Sequence, residues 1–180
     1  MQLHITGLEG MLFSFIPSVP THVIQIKPSY AIASDARMHA KAVVHPMYVS
    51  KKMYVFDDVW PGLHKNDPGL ITAEIACNII SDFVEARNAG CEGLVVHCTR
   101  GKNRSPAVGI ALNRMFELGY DHGEMRQKFP EFTHYVYRTI LEEGARMGYG
   151  PGFELEFEKK FAFDAAAKNT MMQGFARRSS

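Results

Sequence analysis

At 180 residues, the chain is long enough for one domain with a full hydrophobic core. Apolar residues make up 46% and charged residues 22%, and no apolar run approaches membrane-spanning length, so no membrane span is expected. A net charge of +1 gives no whole-protein field to draw the chain to nucleic acid or an anionic membrane, and three cysteines make no disulfide framework. Such cysteine usage suits a reducing compartment, and a cytoplasmic location is the expectation. No basic region precedes Met11–Ile16 and no small-residue cleavage site follows, so no signal peptide is expected.

Residues 2–6 read as a short strand, and residues 8–16 as a short helix weakened by Gly10 and ended by Pro17 and Pro20. His22 to Lys27 alternates and reads as a strand closed by Pro28. Residues 29–50 are poorly patterned and include His39 and His45. None of the eight histidines sits at a recognisable ligand spacing with Cys or carboxylate partners, so neither a metal nor another cofactor is expected. Met53 to Phe56 reads as the next strand and runs into Asp57 and Asp58. The stretch from Val59 through Gly69 is rich in turn residues and contains Asp67. Carboxylates at a strand's C-terminal end, followed by a loop, stand where α/β proteins carry functional groups. If Val55 faces the core, period-two alternation puts Asp57 on its face and Asp58 on the other.

Residues 70–87 form the clearest helix, with Ile71, Ile75, Ile79, Ile80, Phe83 and Val84 on one stripe and Cys77 within it. Gly90 fits a C-cap, and Cys91 leads into the next strand. Leu94, Val95 and Val96 are a continuous apolar run, as in a strand buried on both faces. Residues 98–104 are polar, with Gly101 in the middle, and read as a tight loop. From Ser105 the pattern turns helical, with Pro106 in the first turn, where a missing N–H costs nothing. That helix ends near Leu118 and Gly119, a short helix spans about Asp121 to Phe129 before Pro130, and another covers 133–147. Gly148 to Gly152 reads as a break. It divides a catalytic unit at 1–150 from an extension at 151–180, where Phe153, Phe157 and Phe161 fit a helical period and Phe153, Leu155 and Phe157 an extended one.

Strand, short loop and helix N-terminus in succession make an anion cradle. Backbone N–H groups of the loop converge, and the helix adds free N–H groups and partial positive charge. A tetrahedral oxyanion suits it. Cys98 at the rim lies in a positive field that favours its thiolate. Arg104 can hold two phosphate oxygens at once. A thiolate facing a phosphate so held is arranged to form a phosphocysteine.

The string His97-Cys98-x-x-Gly101-x-x-Arg104-Ser105 resembles the signature loop of the cysteine-dependent protein tyrosine phosphatase superfamily. With Phe56-Asp57-Asp58 before it, the chain looks most like the dual-specificity branch, including small bacterial and phage members. The likeness spans about residues 50–145. It implies an α/β fold with a central mixed sheet flanked by helices on both sides. It makes Cys98 the nucleophile, Arg104 the phosphate clamp and Ser105 a donor to the Cys98 sulfur, with His97, Thr99, Arg100, Gly101, Lys102 and Asn103 completing the phosphate-binding loop. His97 is expected to hydrogen-bond backbone around Cys98. It assigns the general acid to the last Asp of Phe56-Asp57-Asp58, namely Asp58, with Asp57 the alternative and Asp67 third. Trp60-Pro61 departs in order from the Trp-Pro-Asp loop of larger tyrosine phosphatases, because here the aspartates come first. The lysine-asparagine-arginine-tyrosine segment of strict phosphotyrosine enzymes is missing, which implies a shallow pocket. Arg100 and Lys102 make the rim basic, so the substrate is a phosphorylated protein or another polyanionic phosphate, such as an inositol phospholipid. Cys77 or Cys91 could form a protective disulfide with an oxidised Cys98. A non-catalytic phosphate-binding module and a rhodanese-like sulfurtransferase are the rival readings, and the sequence does not give the oligomeric state.

Overall fold

The structure is a computed structural model, and it describes residues 1–29, 44–58 and 69–150. The described residues form four strands and five helices in the order β1 (Gln2–Gly7), α1 (Leu8–Phe13), β2 (Thr21–Lys27), β3 (Tyr48–Val55), α2 (Ala73–Asn88), β4 (Gly93–Cys98), α3 (Arg104–Phe116), α4 (His122–Lys128) and α5 (His134–Arg146). The strands form one sheet in the order β1-β4-β2-β3. Every pairing among the described residues is parallel, which corrects the expectation of a mixed sheet. The physical reason is in the connections. No tight hairpin turn joins successive strands, and parallel neighbours need long crossovers.

The helices do lie on both faces, unequally. Alternation sends Ile24, Ile26, Leu94 and Val96 to one face, where α2 and α3 cover them and α5 packs on those helices, with Ile79, Phe83, Ile110, Leu112 and Ile140 in the same core. Val23 and Val95 point the other way, under Leu8 and Met11 of α1. Each fully buried Ile, Leu or Phe contributes roughly 1.5–3 kcal/mol. α2 starts later than the periodicity suggests, because Thr72 caps it: its Oγ1 accepts from the Ile75 N–H at 3.2 Å. Asp121 caps α4 in the same way, accepting from Glu124 at 2.8 Å.

β3 starts at Tyr48, five residues ahead of the expected Met53. Ser50, Lys51 and Lys52 hid it, since polar and charged residues suit a strand with one open side. Its buried face carries Tyr54 and, just beyond the strand, Phe56, while Val55 is nearly half exposed. The premise that Val55 faces the core is therefore reversed. Trp60, Pro61, Asp67, His39 and the extension at 151–180 lie outside the described residues.

One buried group couples the sheet to pH. His22 on β2 is fully buried, and its ring Nδ1 meets Ser50 Oγ at 2.8 Å. Its Nε2 is buried without a hydrogen-bond partner among the described residues. Burial pushes the His22 pKa down to about 4, with Asp82 opposing and Lys52 assisting. The folded protein therefore holds His22 neutral over a range in which the unfolded chain binds a proton. Stability is complete above the unfolded value of 6.5 and is lost as pH falls towards 4, by roughly 3 kcal/mol for this group. Urea unfolding at pH 7 and pH 4.5 checks this. His22→Gln should shrink the difference between the two pH values by about 2 kcal/mol or more relative to wild type.

Candidate active site

β4 delivers Cys98 to the end of the sheet, 2% exposed, and α3 begins at Arg104. The intervening residues 99–103 turn back sharply. Gly101 has φ +75, a left-handed conformation in which any side chain is strained. Space forbids one as well: a Cβ at Gly101 would lie 2.4 Å from the Gly7 nitrogen and 2.7 Å from the Thr6 carbonyl carbon. The reverse contact is equally tight, because a Cβ at Gly7 would lie 2.9 Å from both the carbon and the oxygen of the Arg100 carbonyl. The Leu8 N–H donates to the Thr99 carbonyl at 3.1 Å. The loop thus rests against the turn from β1 into α1.

Within the loop, the Gly101 N–H donates to Cys98 Sγ at 3.2 Å. Ser105 Oγ stands 3.2 Å from the same sulfur and donates to the Thr6 carbonyl at 3.1 Å. A hydroxyl has one hydrogen and two acceptor sites. When Cys98 is a thiol, its S–H can donate to Ser105, which donates onward to Thr6. When Cys98 is a thiolate, Ser105 can turn its hydrogen to the sulfur.

Arg104 is 5% exposed and donates from Nη1 to the Phe56 carbonyl at 2.8 Å. Its Nε is buried with no hydrogen-bond partner among the described residues. A buried guanidinium N–H left open beside an amide-lined turn is a place for an anion. His97 is fully buried on β4, opposite Thr6 on one side and Gln25 on the other. Asn103 ties the loop to the far side: its Nδ2 donates to the Glu131 carbonyl at 2.9 Å, and its carbonyl accepts from Thr133 N–H at 3.2 Å. Thr99, Arg100 and Lys102 are exposed. Lys102 faces Glu131 at 3.8 Å with both side chains more than half exposed, a pair of little energetic weight.

The two strand-end carboxylates have separate surroundings. Asp57 is buried, and both its oxygens are engaged: Oδ1 accepts from the Ser29 N–H at 2.9 Å and Oδ2 from the Ser29 hydroxyl at 2.5 Å. Asp58 is exposed. The bond from Arg104 to Phe56 brings this segment against the loop, so Asp58 leaves the strand two residues after a carbonyl that Arg104 holds.

The remaining cysteines are free thiols in different places. Cys91 precedes the six-residue β4 and Cys98 ends it, a separation of roughly 20 Å that rules out a disulfide between them. Cys77 sits on α2 with its Sγ 3.7 Å from Glu143 Oε2 of α5. Burial, then Glu143, raises its pKa, and burial raises that of Cys91. Among the described residues, no group of three or more His, Cys, Asp or Glu side chains is placed to hold a metal ion.

Sequence reasoning missed Thr6, Gly7, Leu8, Ser29 and the Phe56 carbonyl. Most of these act through backbone atoms, which leave no mark in side-chain chemistry. Gly7, a glycine directly after a predicted strand, was the one available signal.

The sequence matches no protein-family model and no curated protein. Solved structures do resemble it. Tk-PTP in its active form is 16% identical, over 79% of this chain and 92% of that one, with a TM-score of 0.46. PTPMT1 in complex with PI(5)P is 12% identical, over 82% and 92%, with a TM-score of 0.47. TpbA of P. aeruginosa is 11% identical, over 79% and 86%, with a TM-score of 0.44. These neighbours are cysteine phosphatases of the protein tyrosine phosphatase type. The chain is similar to these three structures at low identity, as its string around Cys98 is similar to their family's signature.

Proposed function

We propose that the chain is a phosphate monoesterase that works through a phosphocysteine on Cys98 and needs no metal. One observation carries this reading. The Cys98 sulfur receives the Gly101 N–H and lies beside the Ser105 hydroxyl, each at 3.2 Å, in the same turn that opens the buried Arg104 Nε. A nucleophile and an oxyanion clamp thus share one short loop.

In the proposed reaction, Arg104 and loop N–H groups bind the non-bridging phosphate oxygens. The Cys98 thiolate attacks phosphorus, the phosphorus–oxygen ester bond breaks, and Asp58 gives its proton to the departing oxygen. Water then attacks the phosphocysteine. Asp58, now a carboxylate, accepts the water's proton, and Cys98 leaves as a thiolate stabilised by the Ser105 hydroxyl. Asp58 is favoured over Asp57 for a physical reason. An acid must turn towards substrate and exchange protons, and the Asp57 carboxylate is held by Ser29 at both oxygens. The chemistry requires Cys98 to stay reduced, which fits a cytoplasmic setting.

For substrate we propose the dual-specificity class, that is, phosphoserine, phosphothreonine and phosphotyrosine in proteins. The absence of the lysine-asparagine-arginine-tyrosine segment that deepens a strict phosphotyrosine pocket supports this. A cleft of about 470 Å³ lies between α1 and Thr99, Arg100 and Lys102, with Phe13 exposed along it. The exposed cations Arg100 and Lys102 keep a second reading alive, a smaller polyanionic phosphate such as an inositol phospholipid.

The test is p-nitrophenyl phosphate hydrolysis in the presence of a chelator. Wild type should turn over, and Cys98→Ser should lose at least about a thousandfold in kcat. Chelator-sensitive activity, or activity that survives in Cys98→Ser, would sink the thiolate mechanism. Anion binding without turnover in wild type would instead mark a phosphate-binding module. For the acid, Asp58→Asn should cut hydrolysis of an alkyl phosphate by about 10²–10⁴, while p-nitrophenyl phosphate changes by a few-fold. Equal losses on both substrates would remove Asp58 from that role.

A further inference from the structure

We infer that the turn Thr6-Gly7-Leu8, more than ninety positions ahead of the loop's arginine in sequence, is a positioning element of the phosphate loop. This rests on the phosphatase reading and adds to it residues outside the signature. Three contacts meet there. The Thr6 carbonyl accepts the Ser105 hydroxyl at 3.1 Å. Gly7 packs backbone to backbone against Arg100 and Gly101. The Leu8 N–H donates to the Thr99 carbonyl at 3.1 Å.

Each contact acts on a different part of the cradle. The bond from Leu8 commits the Thr99 carbonyl to the start of α1. A carbonyl so committed is kept from turning towards an anion held by the loop N–H groups. The Gly7 contact leaves no room for the Arg100–Gly101 peptide to move towards β1, and the Gly101 N–H is the donor to Cys98 Sγ. In the thiol state the Thr6 carbonyl takes the Ser105 hydrogen and keeps Ser105 Oγ 3.2 Å from the same sulfur. Gly7 therefore acts through the loop and is a positioning residue. A methyl group there would meet only backbone, at 2.9 Å from the Arg100 carbonyl and 3.2 Å from the Gly101 nitrogen. Backbone cannot swing aside as a flexible side chain would, so the loop itself must shift.

The contact is also one that side-chain substitution can isolate. Leu8 is the first residue of α1, where proline is tolerated because that N–H has no partner inside the helix. Leu8→Pro deletes the donor to Thr99 and trims the apolar side chain. Leu8→Ala trims the side chain and keeps the donor. The pair separates loop positioning from packing, since the Leu8 side chain is buried between α1 and the sheet.

The experiment measures vanadate affinity, the pH profile of Cys98 alkylation by iodoacetate, p-nitrophenyl phosphate kinetics and melting temperature for wild type and three variants. Gly7→Ala is expected to weaken vanadate binding about tenfold or more, to move the alkylation profile to higher pH, and to cut kcat/KM by about a hundredfold. Leu8→Pro should follow it in vanadate affinity and alkylation profile. Leu8→Ala should lose a similar amount of melting temperature to Leu8→Pro yet bind vanadate within about threefold of wild type. A wild type that binds and turns over, with Gly7→Ala within about threefold of it on both measures, overturns the positioning role and leaves the phosphatase reading intact. Equal losses in Leu8→Pro and Leu8→Ala also overturn it, and they decide the matter should Gly7→Ala fail to fold. A wild type that neither binds vanadate nor hydrolyses the ester overturns the phosphatase reading, and this inference with it.

Discussion

The site depends on two glycine backbones that touch. Gly7 and Gly101 are far apart in sequence, and what brings them together is register. β1 and β4 pair in parallel so that Gly7 sits opposite Cys98, leaving both strand ends flush at the same edge. A slip of one residue would put Thr6 or Leu8 against the loop and turn every β1 side chain to the wrong face. Register in turn is pinned by packing. Ile5 of β1 lies so close to α3 that a Cβ at Gly109 would meet its Cδ1 at 2.5 Å. The close approach of α3 to β1 therefore fixes both the start of that helix and the height of the turn that supports the loop. Sheet pairing, helix packing and loop shape form one constraint.

How much of this could be read in advance follows from the kind of interaction involved. β4, the loop and α3 were legible because their signals are local: an apolar run, a polar turn around a glycine, then a helical period. The candidate residues could be named for the same reason, as reactive side chains at fixed spacing, and the structure places Cys98, Gly101, Arg104 and Ser105 in one turn. The parallel sheet was not, because strand direction is decided by crossovers and not by strand composition. The start of β3 was not, because its lysines read as loop while serving a strand with one open side. The support from Thr6, Gly7 and Leu8 was least legible. Two of its contacts run through backbone atoms common to every residue, and the third through the absence of a side chain.

The pair Asp57 and Asp58 shows the same limit from another side. By sequence they differ by one position, and alternation offered a choice that depended on which way Val55 pointed. Val55 points outward, yet Asp57 is buried all the same, because Ser29 supplies two donors to its carboxylate. A carboxylate held at both oxygens is a structural tie between the end of β2 and the end of β3. Its exposed neighbour keeps the freedom that proton transfer asks for.

Arg104 gives the arrangement its direction. No ion pair among the described residues involves it, and the carboxylate nearest in sequence to its bonded carbonyl, Asp57, is committed to Ser29. A guanidinium 5% exposed, with one nitrogen bonded to a neutral carbonyl and Nε without a hydrogen-bond partner among the described residues, has little there to offset its desolvation. Packing of α3 against β1 and β4 sustains that cost in the empty protein. An anion in the loop would relieve it by completing the hydrogen bonds and neutralising the charge. Under the proposed reading, anion binding and folding are linked: an anion held by Arg104 would stabilise the same register, helix packing and glycine contact that shape the loop.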